Sequence, residues 1–273
     1  VLWEVVKINI YVNELKINID KNAYISDVKG KYKNDADVVI LNGFPINSNI
    51  KLNENDKVTL IKKGEIPKED ELEFLMMARH TPGVFERLKK AKVAIVGCGG
   101  LGSNIAISLA RVGIGDIVIC DFDIVEPSNL NRQQYFVKDI GKFKVDALKE
   151  ILLKINPFIN VKTNNVFIDK DNIEYLFKDR DIIIESFDKA ESKAVLANVV
   201  LTKMPDKYLI MGSGMAGYFD SNIIRTRRIN EKFFVCGDFI NEAKMGSGLM
   251  APRVGIVANH MANEAVRILC KTI

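Results

Sequence analysis

The chain has 273 residues, and its 39 Lys and Arg against 35 Asp and Glu give a formal charge of +4, too small to name a nucleic-acid or membrane partner. With 48% apolar and 27% charged residues, 18 Gly and 7 Pro, it has the make-up of a folded globular protein, not of a disordered or fibrous one. No run reaches the roughly 18 to 20 uninterrupted apolar residues of a membrane-spanning helix, and Glu4, Lys7 and Asn13 break up the start too much for a signal peptide.

In chain order, residues 6–12 (VKINIYV) and 15–19 (LKINI) flank Asn13-Glu14, a hairpin signal. Residues 36–41 (ADVVIL) and 57–62 (KVTLIK) predict two more strands, with room between for a short helix over 26–31. Two hairpins around one helix are the minimum of a β-grasp, or ubiquitin-like, fold. Residues 62–73 (KKGEIPKEDELE) are polar, contain Gly64 and Pro67, and read as a linker passing into a helix. The expected organisation is a β-grasp domain over 1–64, linker and helix over 65–80, and a second domain over 81–273.

Beyond the linker the pattern changes to βαβ. An apolar run over 93–96 enters a Gly-rich turn, a helix runs to about Val112, and 116–120 is the next strand. Runs at 161–167, 181–185 and 208–211 then alternate with helical patterns at 144–155, 172–177 and 191–201. That alternation predicts a Rossmann-like α/β domain with a mostly parallel sheet and helices on both faces. Residues 219–229 look like a later antiparallel addition, and Pro252 opens a C-terminal helix over 251–269.

The first apolar run ends in Gly97-Cys98-Gly99-Gly100-Leu101-Gly102, a G-x-G-x-x-G at a helix start. Glycines there let a phosphate approach the backbone N–H groups of the helix N-terminus. Asp121 ends the next strand about 20 residues on, where a carboxylate can accept from ribose hydroxyls. Alone this says nucleotide, without choosing between ATP and NAD. The segments Asp121-Phe122-Asp123, Ser128-Asn129-Leu130-Asn131-Arg132-Gln133-Gln134 and Gly141-Lys142-Phe143-Lys144 follow. Arg132 offers a planar fork and Lys144 a movable point charge, a pair suited to a triphosphate. Asp188, after the strand at 181–185, lies at the carboxyl end of a parallel strand, where it can hold Mg²⁺ against phosphate oxygens or cap the helix that follows.

Together these residues resemble the ThiF/MoeB/HesA superfamily of ubiquitin-activating-like adenylyltransferases, nearest its ThiF branch. The resemblance spans about Arg79 to Cys270, most specifically in GCGGLGSN, DFDIVEPSNLNRQ, the Gly-x-x-Lys ending at Lys144, INP at 155–157 and GLMAPRVG at 248–255. It implies ATP binding by Gly97, Gly99, Gly100, Leu101 and Gly102, ribose contact by Asp121 beside Asp123, phosphate contacts by Asn129, Arg132, Gln133 and Lys144, and Mg²⁺ at Asp188. The implied catalytic residues are Arg132, Lys144 and Asp188. It also implies a homodimer in which an arginine, with Arg79 the nearest candidate, reaches the partner's phosphates. The implied reaction is adenylation of the C-terminal glycine of a ubiquitin-like carrier.

Departures from the family pattern set further expectations. The four cysteines, Cys98, Cys120, Cys236 and Cys270, form no Cys-x-x-Cys pair, so no zinc is expected, and a reducing cytoplasm fits. Residues 243–247 lack the cysteine that some relatives use for a covalent sulfur link, and Cys236, in what reads as the same loop, could substitute. Cys98 and Cys120 are expected to be buried fillers. The amino-terminal segment resembles the ubiquitin-like sulfur carrier ThiS in Val39-Ile40-Leu41-Asn42-Gly43 and in the run over 56–61. Lys63-Gly64-Glu65 replaces a free Gly-Gly tail, so the expected partner is a separate ThiS-like carrier, in synthesis of the thiazole of thiamine. An NAD-dependent oxidoreductase would leave Arg132, Lys144 and Asp188 without work. A non-catalytic interaction module would not need so complete a nucleotide site. Action on a tRNA base could cite Arg225, Arg227 and Arg228, but their alternation fits a solvated strand edge.

Overall fold

The computed structural model describes residues 6–65, 72, 73, 75, 76, 80 and 83–270. They fall into two compact units, Val1–His80 and Thr81–Ile273. Arg79 and the start of the linker helix near Pro67 lie outside the described residues.

The first unit is a five-stranded sheet of order β2-β1-β5-β3-β4 with one helix. Strands β1 (Lys7–Val12) and β2 (Leu15–Asp20) pair across Asn13 and Glu14, both at positive φ. That geometry matches a two-residue hairpin turn to the right-handed strand twist. Helix α1 (Ile25–Tyr32) follows, then β3 (Val38–Leu41), β4 (Phe44–Ile46) and β5 (Lys57–Ile61). The second hairpin is β3–β4 across Asn42-Gly43, while β5 runs antiparallel to β3 and parallel to β1. β4 was absent from the expected set, although Asn-Gly is the strongest short hairpin signal. Ile10, Val28, Leu52, Val58 and Leu60 form the core. After β5 the chain turns at Gly64, and the Lys33 ammonium meets the Glu65 carboxylate at 2.8 Å. A turn therefore stands where a carrier would have an extended tail.

The second unit is a seven-stranded sheet of order β11-β12-β10-β9-β6-β7-β8. Helix α2 (Val84–Lys90) leads into β6 (Lys92–Val96), α3 (Gly100–Arg111) and β7 (Asp116–Cys120). Next come α4 (Lys144–Ile155), β8 (Asn160–Asn164), α5 (Ile173–Phe177), β9 (Ile182–Glu185), α6 (Ala190–Lys203) and β10 (Tyr208–Gly212). The unit ends with β11 (Arg225–Arg228), β12 (Phe233–Gly237) and α7 (Ala251–Cys270). All sheet neighbours are parallel except the edge pair β11–β12. β12, and with it Cys236, reads in sequence as loop; it is instead an inner strand beside β10.

Buried residues of α2, α3, α4 and α7 cover one face of this sheet, and those of α5 and α6 cover the other. Strands buried on both sides read as continuous apolar runs, as β6 and β9 do. From β6 the chain steps outward through β7 and β8, then returns to β9 on the opposite side of β6. The carboxyl ends of β6 and β9 thus flank a switch point, where ligands of open α/β sheets bind.

Candidate active site

The turn after β6 is dictated by close packing. Gly97 has φ +100°, and a Cβ there would lie 2.7 Å from the Ser186 carbonyl oxygen. At Gly102 a Cβ would come within 1.8 Å of the Gly97 carbonyl oxygen, so any side chain would force α3 away from the turn. Gly99 has only the Gln133 amide near it, at 3.8 Å. The α3 N-terminus therefore presents its N–H groups with little side-chain cover, an anion-binding arrangement. The Leu101 side chain is buried in the core, which leaves only its backbone for a nucleotide.

Asp121 pins the same turn. One carboxylate oxygen accepts the Cys98 N–H at 2.6 Å and the other the Asp123 N–H at 2.9 Å. Tyr135, buried and held by that burial well above the usual phenol range, donates to the Cys98 carbonyl at 2.7 Å. The Lys144 ammonium is buried at the start of α4 and paired with Asp123 at 2.7 Å. Arg132 passes over α3, its Cγ 3.6 Å from the Cβ position of Gly100, and donates to the Ser128 carbonyl and the Asn131 amide oxygen. Asn129 is spent on its own turn, accepting the Glu126 N–H at 3.1 Å.

Three buried polar atoms around this crevice have no partner among the described residues: Arg132 Nε, Gln133 Oε1 and Ser186 Oγ. A buried polar group left unpaired costs about 1–3 kcal/mol. A polar ligand or ordered water at the glycine turn would satisfy these three atoms.

Asp188 is exposed at the carboxyl end of β9, and its carboxylate has no hydrogen-bond or ion-pair partner among the described residues. It is not the helix cap: α6 starts at Ala190, and Lys189 occupies the cap position without a side-chain bond. Among the described residues no group of three or more His, Cys, Asp or Glu forms a metal cage. Mg²⁺ needs none when phosphates and water fill most of its shell, so one free carboxylate near the glycine turn is compatible with it.

Residues beyond the expected set complete the site's frame. Asn104 donates to the Gly100 carbonyl at 2.7 Å and accepts from the Gln134 amide at 2.7 Å. Buried Glu185, at the end of β9, pairs with the partly buried Lys193 at 2.8 Å. Asp238 accepts from the Ile240 and Asn241 N–H groups, the Asn241 amide and Arg253, while Arg253 donates to the Phe219 and Asp220 carbonyls. This hub ties the loops after β10 and β12 to α7. Burial alone would raise the Asp238 carboxyl, but the bonds from Asn241, Ile240 and Arg253 hold it down at about 2. Nothing in the spacing of these residues marks them as partners.

Cys98 and Cys120 are fully buried, as expected. Cys236 is also fully buried, and burial pushes its thiol to about 11, so it is no ready nucleophile in place of the missing loop cysteine. Arg227 lies 3.9 Å over the Phe239 ring and Arg228 donates to the Asn230 carbonyl at 3.1 Å, so two of the three arginines on β11 are already occupied.

Residues 74–273 match the ThiF family, and residues 8–64 match the ThiS-like ubiquitin family. The chain belongs to the ThiF family. Over 191 residues it is 31% identical to the molybdopterin-synthase adenylyltransferase of Salmonella typhimurium, covering 67% of this chain and 75% of that one. It is 30% identical over 202 residues to the adenylyltransferase and sulfurtransferase UBA4 of Candida glabrata, covering 71% of this chain and 46% of the relative. It thus spans less than half of that two-activity protein. Among solved structures, E. coli MccB with AMPCPP and MccA aligns with a TM-score of 0.52 at 28% identity, covering 68% of this chain and 57% of that one. The E. coli tRNA N6-threonylcarbamoyladenosine dehydratase TcdA with ATP shares the fold, with a TM-score of 0.65 at 21% identity, covering 71% of this chain and 91% of that one. No helix among the described residues is long and apolar enough to cross a membrane.

Proposed function

We propose that this chain is an ATP-dependent adenylyltransferase that activates the C-terminal glycine carboxylate of a ThiS-type sulfur-carrier protein, in synthesis of the thiazole part of thiamine. The observation that carries the reading is the set of unpartnered buried atoms, Arg132 Nε, Gln133 Oε1 and Ser186 Oγ, gathered around the glycine turn within the frame of Asp121 and Lys144. The match to named adenylyltransferases supports the reaction type, and the ThiS-like unit supports the ThiS branch over other carriers.

In this reaction a carboxylate oxygen of the carrier attacks the α-phosphorus of ATP. The bond from that phosphorus to the bridging β-oxygen breaks, and pyrophosphate leaves with the electron pair, giving an acyl-adenylate. No protein nucleophile is needed, which agrees with the burial of Cys236. The α3 N-terminus and the glycine turn hold the phosphates, and Asp121 accepts from the ribose through its remaining lone pairs. Arg132 turns its free Nε–H to phosphate oxygen, and Lys144 shares its charge between Asp123 and the phosphates. Both stabilise negative charge that grows as the leaving group departs. Asp188 is the residue that would hold Mg²⁺, which supplies further charge neutralisation when bound with the nucleotide.

The fused ThiS-like unit is not the acceptor, because residues 62–65 form a turn without a terminal carboxylate. Intact-mass measurement after mixing the chain, ATP, Mg²⁺ and a Gly-Gly-ended ThiS-type carrier tests this. The carrier should gain one AMP and the chain's own mass should not change. An unmodified carrier, or AMP on the chain itself, would contradict the reading.

A further inference from the structure

Among the described residues Glu185 and Lys193 make no side-chain hydrogen bond to the residues assigned to the nucleotide, yet they are bonded to the backbone that presents one of them. Glu185 ends β9 and is fully buried. Both of its oxygens accept from the Lys193 ammonium of α6, at 2.8 and 2.9 Å, and the same ammonium donates to the Gly212 carbonyl at the end of β10 at 3.1 Å. Oε1 of Glu185 also accepts the Phe187 N–H at 2.6 Å. One pair thus joins the ends of two strands, the first turns of a helix and the residue directly before Asp188.

The pair is placed to transmit position. The Ser186 N–H donates to the Val96 carbonyl at 2.8 Å, and the Ser186 carbonyl is where a Gly97 Cβ would collide, at 2.7 Å. The turn over Ser186-Phe187-Asp188 therefore rests directly on the glycine turn. A buried ion pair contributes little to stability that a well-packed apolar pair would not. Burial pushes the Glu185 carboxyl upward, against the attraction of Lys193, so the charge is kept here at a cost. Its hydrogen bonds fix backbone that an apolar pair would leave loose.

We propose that the Glu185–Lys193 pair is a positioning device that sets the Ser186-Phe187-Asp188 turn, so that the Asp188 carboxylate meets the divalent cation carried by ATP. The proposal rests on the reading of Asp188 as the cation ligand. Residues that orient a metal ligand are worth about 10–100-fold in metal affinity when removed.

The test is ATP affinity by calorimetry with and without Mg²⁺. Asp188→Asn should remove the Mg²⁺-dependent part of binding. Lys193→Met should weaken it by about 10–100-fold, Lys193→Arg should keep it, and the double variant with Asp188→Asn should bind no worse than Asp188→Asn alone, because both act through one carboxylate. If circular dichroism shows that Lys193→Met does not fold, Glu185→Asp takes its place. It keeps the charge balance but draws the acceptor away from the Phe187 N–H, and it should lose the Mg²⁺ response. A folded Lys193→Met or Glu185→Asp variant with the native response, or losses that multiply in the double variant, would overturn the proposal while leaving Asp188 as ligand. A native response in Asp188→Asn would instead remove the cation reading, and the proposal with it.

Discussion

Arg132 and Lys144 enter the site differently. Arg132 is half-buried and its buried Nε has no partner among the described residues, whereas the Lys144 charge is already matched by Asp123 at 2.7 Å. Arginines of this kind in phosphate-transfer enzymes are worth about 10³–10⁵ in rate. Arg132→Ala should therefore cut adenylate formation by about that factor with an unchanged circular dichroism spectrum, and a fully active Arg132→Ala/Lys144→Ala variant would contradict its role. Cys236→Ser should retain native activity, since a buried thiol held at about 11 attacks nothing at neutral pH. A loss of turnover in that variant with the fold intact would mean the thiol is used. At this scale the sequence was most legible where one segment carries several candidate side chains that the fold gathers near the glycine turn, as from Asp121 to Lys144. It was silent on Glu185 with Lys193 and on Asp238 with Arg253, because those pairs form between elements that only the folded sheet brings together.

The elements that shape the crevice are the glycine turn and the two loops tied to α7. Gly97→Ala would put a side chain at φ +100° and 2.7 Å from a carbonyl oxygen. It should cost about 1–3 kcal/mol of stability and weaken ATP binding, measured by thermal unfolding with and without nucleotide. An unchanged melting temperature and affinity would show that the turn is not so constrained. Asp238 sets an acid limit for the loop hub. Its folded value of about 2 lies below that of an unfolded Asp, so its contribution is complete at higher pH and is lost as the pH falls toward 2. Asp238→Asn should flatten that acid-side loss of stability in a pH series; an unchanged slope would exclude Asp238 as its source. Helix α4 was legible to its ends because its apolar positions repeat at helical spacing. β12 was not, because FFVCG is a short apolar run that periodicity cannot distinguish from loop or buried helix.

In the whole molecule a ThiS-like ubiquitin unit precedes a ThiF-family unit. The class of each was readable from alternation in the first unit and from βαβ order in the second. The missing tail was readable too, but the turn that replaces it, with Lys33 on Glu65, was not. The direct measure of the central claim is exchange of labelled pyrophosphate into ATP with Mg²⁺. Exchange should depend on a separate Gly-Gly-ended ThiS-type carrier and disappear with Arg132→Ala. No exchange with such a carrier, or equal exchange with a carrier lacking its terminal glycines, would contradict it.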